Sequence, residues 1–280
     1  MADIAAPTRA FKVPSYALIG FFALTFAISW GVVGVYIATP NWASSTFGEI
    51  SGSHPLFFLA TWAPAISAFA FVFYFGGVAG LKAFLSRLLI WRLSSLWVVF
   101  ILIGIPVVFM IGSSLKAGPL LAPIPPEGVG TMIAITFMML FLGPIEEFGW
   151  RGVAQPILQR HVAPLWAGVI IGTVWGIWHL PAFFLSGTVF AGWSFLPFLI
   201  GNITLAVLVT PIFNSGRGGL LWPVLFHWQL VLPIWPDAQP YDTWILFVAA
   251  GAVVWWKRET MLHRNGAVTE VIPEGERAKE

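Results

Sequence analysis

The sequence predicts an all-α membrane protein, a polytopic helix bundle of about eight transmembrane helices with both termini in the cytoplasm. Hydrophobic residues make up 58% of the 280-residue chain and charged residues only 9%. A soluble domain carries about 25% charged residues. Long uncharged apolar segments recur along the whole chain, and the positive charges fall in alternate connections between them. These observations predict an integral membrane protein in contact with lipids.

Each predicted span is an apolar run without charges, and the runs follow one another closely. The eight segments are about 16–37, 56–79, 94–111, 129–150, 163–184, 195–213, 219–235 and 243–256. The first follows Arg9 and Lys12 but is too long for a typical signal peptide, so we expect it to be retained. The last has only 14 uncharged residues, below the usual length of about 17–25 residues.

The distribution of basic residues predicts the orientation. With the N-terminus in the cytoplasm, 13 of the 14 Lys and Arg residues lie in cytoplasmic stretches and only Lys116 lies outside. The cytoplasmic set is Arg9, Lys12, Lys82, Arg87, Arg92, Arg151, Arg160, Arg217, Lys257, Arg258, Arg264, Arg277 and Lys279. Positive residues concentrate on the cytoplasmic side of membrane proteins, so this pattern favours eight spans.

The chain divides into a short cytoplasmic segment at 1–15, a transmembrane helical domain at 16–256, and a polar cytoplasmic tail at 257–280 that we expect to lack fixed structure. The absence of cysteine excludes disulfides, thiolate metal sites and a cysteine nucleophile. The net charge of +2 is small and its positive residues are scattered, so nothing indicates a nucleic-acid partner.

Two adjacent carboxylates, Glu146 and Glu147, directly follow the apolar run of the fourth span, and Arg151 comes four residues after Glu147. A charged side chain at the centre of a span costs about 2.5–3.5 kcal/mol on insertion scales, and such residues usually mark functional sites. An acid and a base four residues apart, with the acid first, face each other favourably on a helix. We therefore expect Glu147 to pair with Arg151 and to fix the helix.

Glu146 points about 100° away from Glu147 on a helix, on the side of Gly149 and Trp150. We expect it to have no cationic partner and to lie beside a glycine that leaves room for water or substrate. A carboxylate in such a place suits a general base.

The alternative is that these three charges only mark the cytoplasmic end of the fourth span. However, apolar residues resume after Arg151 and continue to Arg160. This pattern favours a helix that continues, kinked near Pro156, and leaves the motif embedded in the membrane.

Two histidines lie in other apolar segments. His179 ends a series of glycines four residues apart, Gly168, Gly172 and Gly176, a spacing that lets two membrane helices pack closely. His179 lies on that glycine face, so we expect it to point into the bundle. For His179, and for His227 in the seventh segment, the alternative is a histidine bonded to a neighbouring carbonyl.

One carboxylate and two imidazoles could act together in two ways. Glu146, His179 and His227 could bind Zn²⁺ or another divalent metal with an open fourth position. They could equally form a metal-free site in which the glutamate activates water and the imidazoles stabilise an oxyanion.

The motifs resemble those of the CPBP family of intramembrane metalloproteases, which includes type II CAAX prenyl endopeptidases and bacteriocin-processing relatives. The similarity rests on Glu-Glu-x-x-x-Arg at 146–151, aromatic-x-x-x-His at 175–179 and the late His227, and it spans about residues 56–232. The resemblance implies peptide-bond hydrolysis in a bacterial or archaeal cell membrane, with a peptide or protein substrate that could be prenylated. It implies that Glu146 activates water, that His179 and His227 bind a metal or support the oxyanion, and that Glu147 and Arg151 position the motif.

Two residues depart from the family pattern. Trp175 stands where the family usually has phenylalanine, and Val231 stands where it usually has Asn or Asp, with Gln229 and Asn202 as the nearest polar substitutes. Val231 can neither ligate nor donate, so the alternative function is a catalytically impaired peptide-binding or immunity-type membrane protein on the same scaffold. A small transporter would also use buried charges, but no inverted repeat is visible.

Overall fold

The computed structural model describes residues 12–188 and 190–273. This part of the chain consists of helices and connecting turns, without a strand, which confirms the predicted all-α class. Of the predicted N-terminal segment 1–15, residues 1–11 lie outside the described residues.

The helices follow one another with short connections, and several are joined end to end. The first seven are α1 (Ala17–Ala38), α2 (Pro40–Phe47), α3 (Pro55–Thr61), α4 (Ala63–Leu85), α5 (Ser95–Val99), α6 (Ile105–Leu115) and α7 (Val129–Met138). The remaining ones are α8 (Glu147–Gly149), α9 (Gln155–Gln159), α10 (Pro164–Trp178), α11 (Phe195–Ser215), α12 (Leu221–Val231), α13 (Tyr241–Trp256) and α14 (Arg258–Met261).

Six helical segments in the described part are long and apolar enough to cross a membrane. They are Ala17–Ala38, Ala63–Leu89, Ser95–Leu115, Val129–Gln159, Pro164–Phe184 and Phe195–Ser215, and each overlaps one of the first six predicted spans. The seventh and eighth predicted spans contain α12, with 11 residues, and α13, with 16 residues. Both are shorter than the about 17–25 residues of a typical span. The structure thus places a helix in every predicted segment, while the count of eight crossings stays a prediction.

Both ends of the described chain lie at the same end of the bundle. Arg160 donates to the Val13 carbonyl at 2.6 Å and to the Thr269 carbonyl at 2.8 Å. One side chain therefore joins the residues that precede α1 to those that follow α14. This arrangement agrees with an even number of crossings, and the cytoplasmic location of both termini stays a prediction.

Helices α10 and α11 pack backbone to backbone along the predicted glycine series. A Cβ atom added to Gly168 would lie 2.9 Å from Thr210 Oγ1, and one added to Gly176 would overlap the side chain of Leu199. At Gly172 it would overlap the backbone of Ile203. Larger residues at these positions would force the helices apart, so the predicted role of the glycines in helix packing is confirmed.

We expect Gly172→Ala to lower the melting temperature of the detergent-purified protein by several degrees. The added methyl group would meet the backbone of α11, which cannot move aside as a flexible side chain could, and overpacking costs about 1–3 kcal/mol. The matched control is Gly251→Ala in α13, where an added Cβ has nothing within 4 Å. Equal melting temperatures for the two variants would contradict this account of the α10–α11 contact.

The C-terminal segment corrects one prediction. Residues 265–273, which we expected to lack fixed structure, pack against the bundle, and Val271 and Ile272 are buried in its core. The segment is polar on average, but its few apolar side chains, Val268, Val271 and Ile272, pack against the core of the bundle. Residues 274–280 of the predicted tail lie outside the described residues.

Candidate active site

The acidic motif lies inside a long irregular helical segment. Val129–Gln159 consists of α7, two short 3-10 turns, α8, a π-helical turn at Trp150–Ala154, and α9. The chain leaves helical geometry at Leu142, where φ is −92° and ψ is −86°. The segment thus continues past the motif, as predicted, so the motif is embedded. The segment is irregular at two places, at Leu142 before the motif and in the π-helical turn that ends two residues before Pro156, where we expected a kink.

Glu147 is the acid that binds both Arg151 and His227. Arg151 Nη1 lies 3.2 Å from Glu147 Oε2 and donates to Oε1 at 3.4 Å. His227 Nδ1 donates to the same Oε1 atom at 2.9 Å. All three side chains are buried, so this cluster ties the motif to α12. The predicted pairing of Glu147 with Arg151 is confirmed, and the bond to His227 was not foreseen.

Glu146 has indole groups as its polar neighbours. Its Oε2 atom accepts hydrogen bonds from Trp175 Nε1 at 2.7 Å and from Trp150 Nε1 at 3.3 Å, and only 3% of the residue is exposed. Oε1 is left as the second acceptor of the carboxylate. Two donors on one oxygen hold the carboxylate in a fixed orientation.

The expected role of Gly149 is wrong. A Cβ atom at this position would lie 2.6 Å from Pro64 Cβ and 2.7 Å from the Pro64 carbonyl oxygen. The glycine therefore allows α8 to approach α4 and leaves no space for water. Gly143 is the glycine that faces the site, since a Cβ there would lie 2.8 Å from His227 Nε2.

His179 follows α10 directly, and its Nδ1 lies 2.9 Å from the Trp175 carbonyl oxygen. A carbonyl only accepts, so Nδ1 carries the proton, and the neutral ring has Nε2 as a free acceptor. The ring is half-buried and contacts Trp178, Phe190 and Phe198. The alternative interpretation, a bond to a neighbouring carbonyl, is thus confirmed for Nδ1, while Nε2 remains available.

Glu146, His179 and His227 line one cavity of about 340 Å³. Most of its other lining residues are apolar, among them Val33, Phe57, Ala60, Met138, Met139 and Phe190. Three hydroxyl side chains, Ser29, Ser53 and Thr61, also line it and were not singled out in the sequence. The structure therefore brings three side chains from three separate segments to one largely apolar cavity. Glu147 and Arg151 do not line the cavity; they pair with each other, and Glu147 binds His227.

The position that departs from the family pattern also belongs to this cavity. Val231, the last residue of α12, is one of its lining residues. Neither proposed substitute lines it. Gln229 accepts a hydrogen bond from Trp235 Nε1 at 3.2 Å, and Asn202 donates to the Phe198 carbonyl at 2.9 Å. The wall that would carry an amide or acid in the family is thus apolar in this protein.

The predicted metal ligands do not form a three-ligand site. Within residues 12–188 and 190–273, no three His, Asp or Glu side chains are arranged to hold one metal ion. Trp175 contacts both imidazoles, with ring centroids 5.9 Å from His179 and 5.2 Å from His227. A zinc ion needs its ligands about 2 Å away on each side. The present arrangement therefore does not fit the expected zinc site.

Trp175 connects the residues of the site, a role that its place in the aromatic-x-x-x-His motif did not reveal. Its indole N–H binds Glu146, its carbonyl accepts from His179, and its ring lies 5.4 Å from the Arg151 guanidinium. Its place one helical turn before His179, on the glycine face, was visible in the sequence. The hydrogen bond to a carboxylate 29 residues away was not.

Comparisons with known proteins give a family match and a curated relative. Residues 128–232 match a family model described as type II CAAX prenyl endopeptidase, Rce1-like. The CAAX prenyl protease 2 of Methanococcus maripaludis is 25% identical over 145 residues, which cover 48% of this chain. The match covers 54% of that relative, so the chain spans about half the length of the curated relative it matches.

The fold and the site define a class, namely a helical integral membrane protein with a buried carboxylate and two imidazoles around an apolar cavity. The matched residues contain the whole of that carboxylate–imidazole set, from Glu146 to His227. Residues 128–232 are therefore similar to an Rce1-like type II CAAX prenyl endopeptidase domain, which supports the resemblance found in the sequence.

Proposed function

We propose that this protein is a membrane-embedded endopeptidase that cleaves peptides of the CAAX type. The observation that carries the proposal is the convergence of Glu146, His179 and His227 on one cavity. The matched family, described as a CAAX prenyl endopeptidase, and the relative, named a CAAX prenyl protease, add the reaction class, the hydrolysis of a peptide bond.

In the proposed reaction, Glu146 removes a proton from a water molecule. The resulting hydroxide adds to the carbonyl carbon of the peptide bond and forms a tetrahedral oxyanion. The C–N bond then breaks as the proton held by Glu146 passes to the leaving nitrogen. Because the two indoles occupy Oε2, the proton is taken by Oε1.

The imidazoles are the groups available to the water and the oxyanion. In His179 and His227, Nδ1 donates to an oxygen, so Nε2 accepts when the ring is neutral and donates when it is protonated. The hydrogen bond to Glu147 fixes the orientation of the His227 ring, as a buried acid does for a catalytic histidine. These steps use only groups of the protein and water, and within the described residues no three His, Asp or Glu side chains are arranged to hold a metal.

The apolar cavity indicates what kind of substrate the site would take. Apolar walls favour a peptide with a lipid or apolar side chain, and a prenyl group satisfies that requirement. The peptide bond would then lie beside Glu146, where few competing waters reach it.

The proposal is tested with the purified protein in liposomes. A farnesylated peptide that ends in a CAAX sequence and its unmodified twin are incubated with the protein, with and without a chelator, and the products are identified by mass spectrometry. We expect release of a C-terminal fragment from the farnesylated peptide, with slower cleavage of the unmodified peptide and no effect of the chelator. A chelator that abolishes cleavage would instead favour metal-dependent chemistry.

Val231 favours a second function, a peptide-binding protein without protease activity. In that case the folded protein would bind the farnesylated peptide at saturation and release no product. Val231→Asn discriminates further, since it restores the family's polar residue at the cavity wall. A gain of cleavage in this variant alone would establish the impaired-enzyme alternative.

We expect Trp175→Phe to lower kcat by about tenfold or more, because a hydrogen bond to a charged group contributes about 1.5–3 kcal/mol. Phenylalanine keeps the aromatic ring but removes the donor to Glu146, so KM should stay close to that of the wild type. Trp222→Phe is the matched control, since it removes an indole donor that binds the Trp91 carbonyl on an exposed part of the protein. Equal kcat for both variants would show that the indole donor does not act on Glu146.

A further inference from the structure

The residues that follow α14 bind the bundle as an extended peptide binds a groove. We call residues 264–272 the C-terminal strap. Asn214 accepts from the Val268 amide at 3.1 Å, and Gln159 donates to the Val268 carbonyl at 2.7 Å. Arg160 donates to the Thr269 carbonyl at 2.8 Å. These hydrogen bonds join backbone groups of the strap to side chains from two separate segments of the bundle.

Side chains of the strap complete the contact. Val271 and Ile272 are 2% and 3% exposed, and Val268 packs against the same core. Glu270 faces Arg160, where burial lowers the pKa of the guanidinium and the negative charge of Glu270 raises it. The strap is therefore held by apolar anchors, by its backbone and by charge.

Arg87 joins the strap to the segment that carries the acidic motif. Its side chain is fully buried, and Nη1 donates both to the Val271 carbonyl at 3.0 Å and to the Gly152 carbonyl at 2.8 Å. Nε donates to the Gly218 carbonyl at 2.7 Å. One guanidinium thus holds the strap, the motif segment and the turn before α12 together.

The bond to Gly152 fills a gap that the sequence creates. Gly152 lies in the π-helical turn, and Pro156, the residue that would donate to its carbonyl in an α-helix, has no N–H. An unpaired carbonyl in a buried site is unfavourable, and the Arg87 guanidinium supplies the missing donor. Gly152 follows Arg151 directly, so this bond acts one residue from the Glu147–Arg151 pair.

We propose that the C-terminal strap is an intramolecular peptide ligand that, through Arg87, sets the position of the acidic motif. With the strap in place, Arg87 is fixed by the Val271 carbonyl and holds the helix at Gly152. Without it, Arg87 loses one of its three carbonyl partners and the motif segment loosens. The effect on catalysis rests on the proposed function, whereas the effect on the helix does not.

The test uses the full chain with a specific protease site inserted between His263 and Arg264, both exposed, so that the strap is cut only after folding. The cut protein is washed free of the strap and then mixed with a synthetic peptide of residues 264–273. The control peptide carries aspartate in place of Val268, Val271 and Ile272. Amide hydrogen exchange is followed in residues 147–155, with α6 as the reference region.

We expect removal of the strap to speed exchange in 147–155 by about tenfold or more while exchange in α6 is unchanged, since Arg87 loses the Val271 carbonyl that fixes it and its charged hydrogen bond to Gly152 weakens. The synthetic peptide should restore protection at saturation and the control peptide should not. In the cleavage assay, kcat should fall with KM unchanged and recover with the same peptide.

Unchanged exchange in 147–155 after removal of the strap would overturn the proposal. The proposal would also be overturned if the synthetic peptide bound the cut protein without restoring protection in 147–155. If the intact protein cleaves nothing, the proposed function fails, but the exchange measurement still decides whether the strap positions the motif.

Discussion

Glu146→Gln is expected to lower the rate of peptide cleavage by about 10²–10⁴-fold, the usual contribution of a general base. Glutamine keeps the size of the side chain and can still accept from the indoles of Trp175 and Trp150, so the fold should remain intact. It cannot take a proton from water. Initial rates on the farnesylated peptide in liposomes, measured at equal amounts of folded protein, give the ratio.

The matched control for this variant is Glu127→Gln, the same change at an exposed glutamate in the loop before α7. It should retain the wild-type rate. Cleavage by Glu146→Gln within about twofold of this control would show that another group activates the water.

Arg151→Met is expected to destabilise the protein by about 3–5 kcal/mol, because it leaves the buried Glu147 without its cation. The free energy of unfolding in mixed micelles, measured with increasing denaturant, gives this value. The double variant Glu147→Met/Arg151→Met should recover much of the loss, since replacing both partners of a buried pair by apolar residues is often close to neutral.

Arg258→Met is the control, because Arg258 lies 3.8 Å from Glu259 in an exposed pair, which contributes about 0–1 kcal/mol. If Arg151→Met were as stable as this control, Glu147 would not depend on Arg151. A double variant less stable than Arg151→Met would show that the bond from Glu147 to His227 dominates the cluster.

Local sequence patterns were sufficient to predict a contact wherever the spacing of residues within one helix determines it. The i, i+4 spacing of Glu147 and Arg151 places both on one helix face, and the pair forms as expected. The glycine series of α10 predicted a close helix contact because glycines on one face of a helix allow a second backbone to approach it. The apolar segments likewise predicted the helices and their order.

Local patterns could not predict contacts between segments that are distant in the sequence. The bond from His227 to Glu147 joins residues 80 positions apart, and no periodicity specifies it. Gly149 was assigned to the wrong neighbour because spacing alone cannot tell that Pro64 occupies the space beside it. Residues 265–273 seemed unstructured because their few apolar side chains matter only once the bundle offers them a groove.

The most direct test of the account is a cleavage reaction in H₂¹⁸O with hydroxylamine present to trap any acyl-enzyme. The account predicts that the new C-terminal carboxylate of the farnesylated fragment carries one ¹⁸O atom, with no hydroxamate among the products, because water activated by Glu146 attacks the peptide bond directly. A hydroxamate product would contradict it, since that product requires a covalent intermediate with a side chain of the protein.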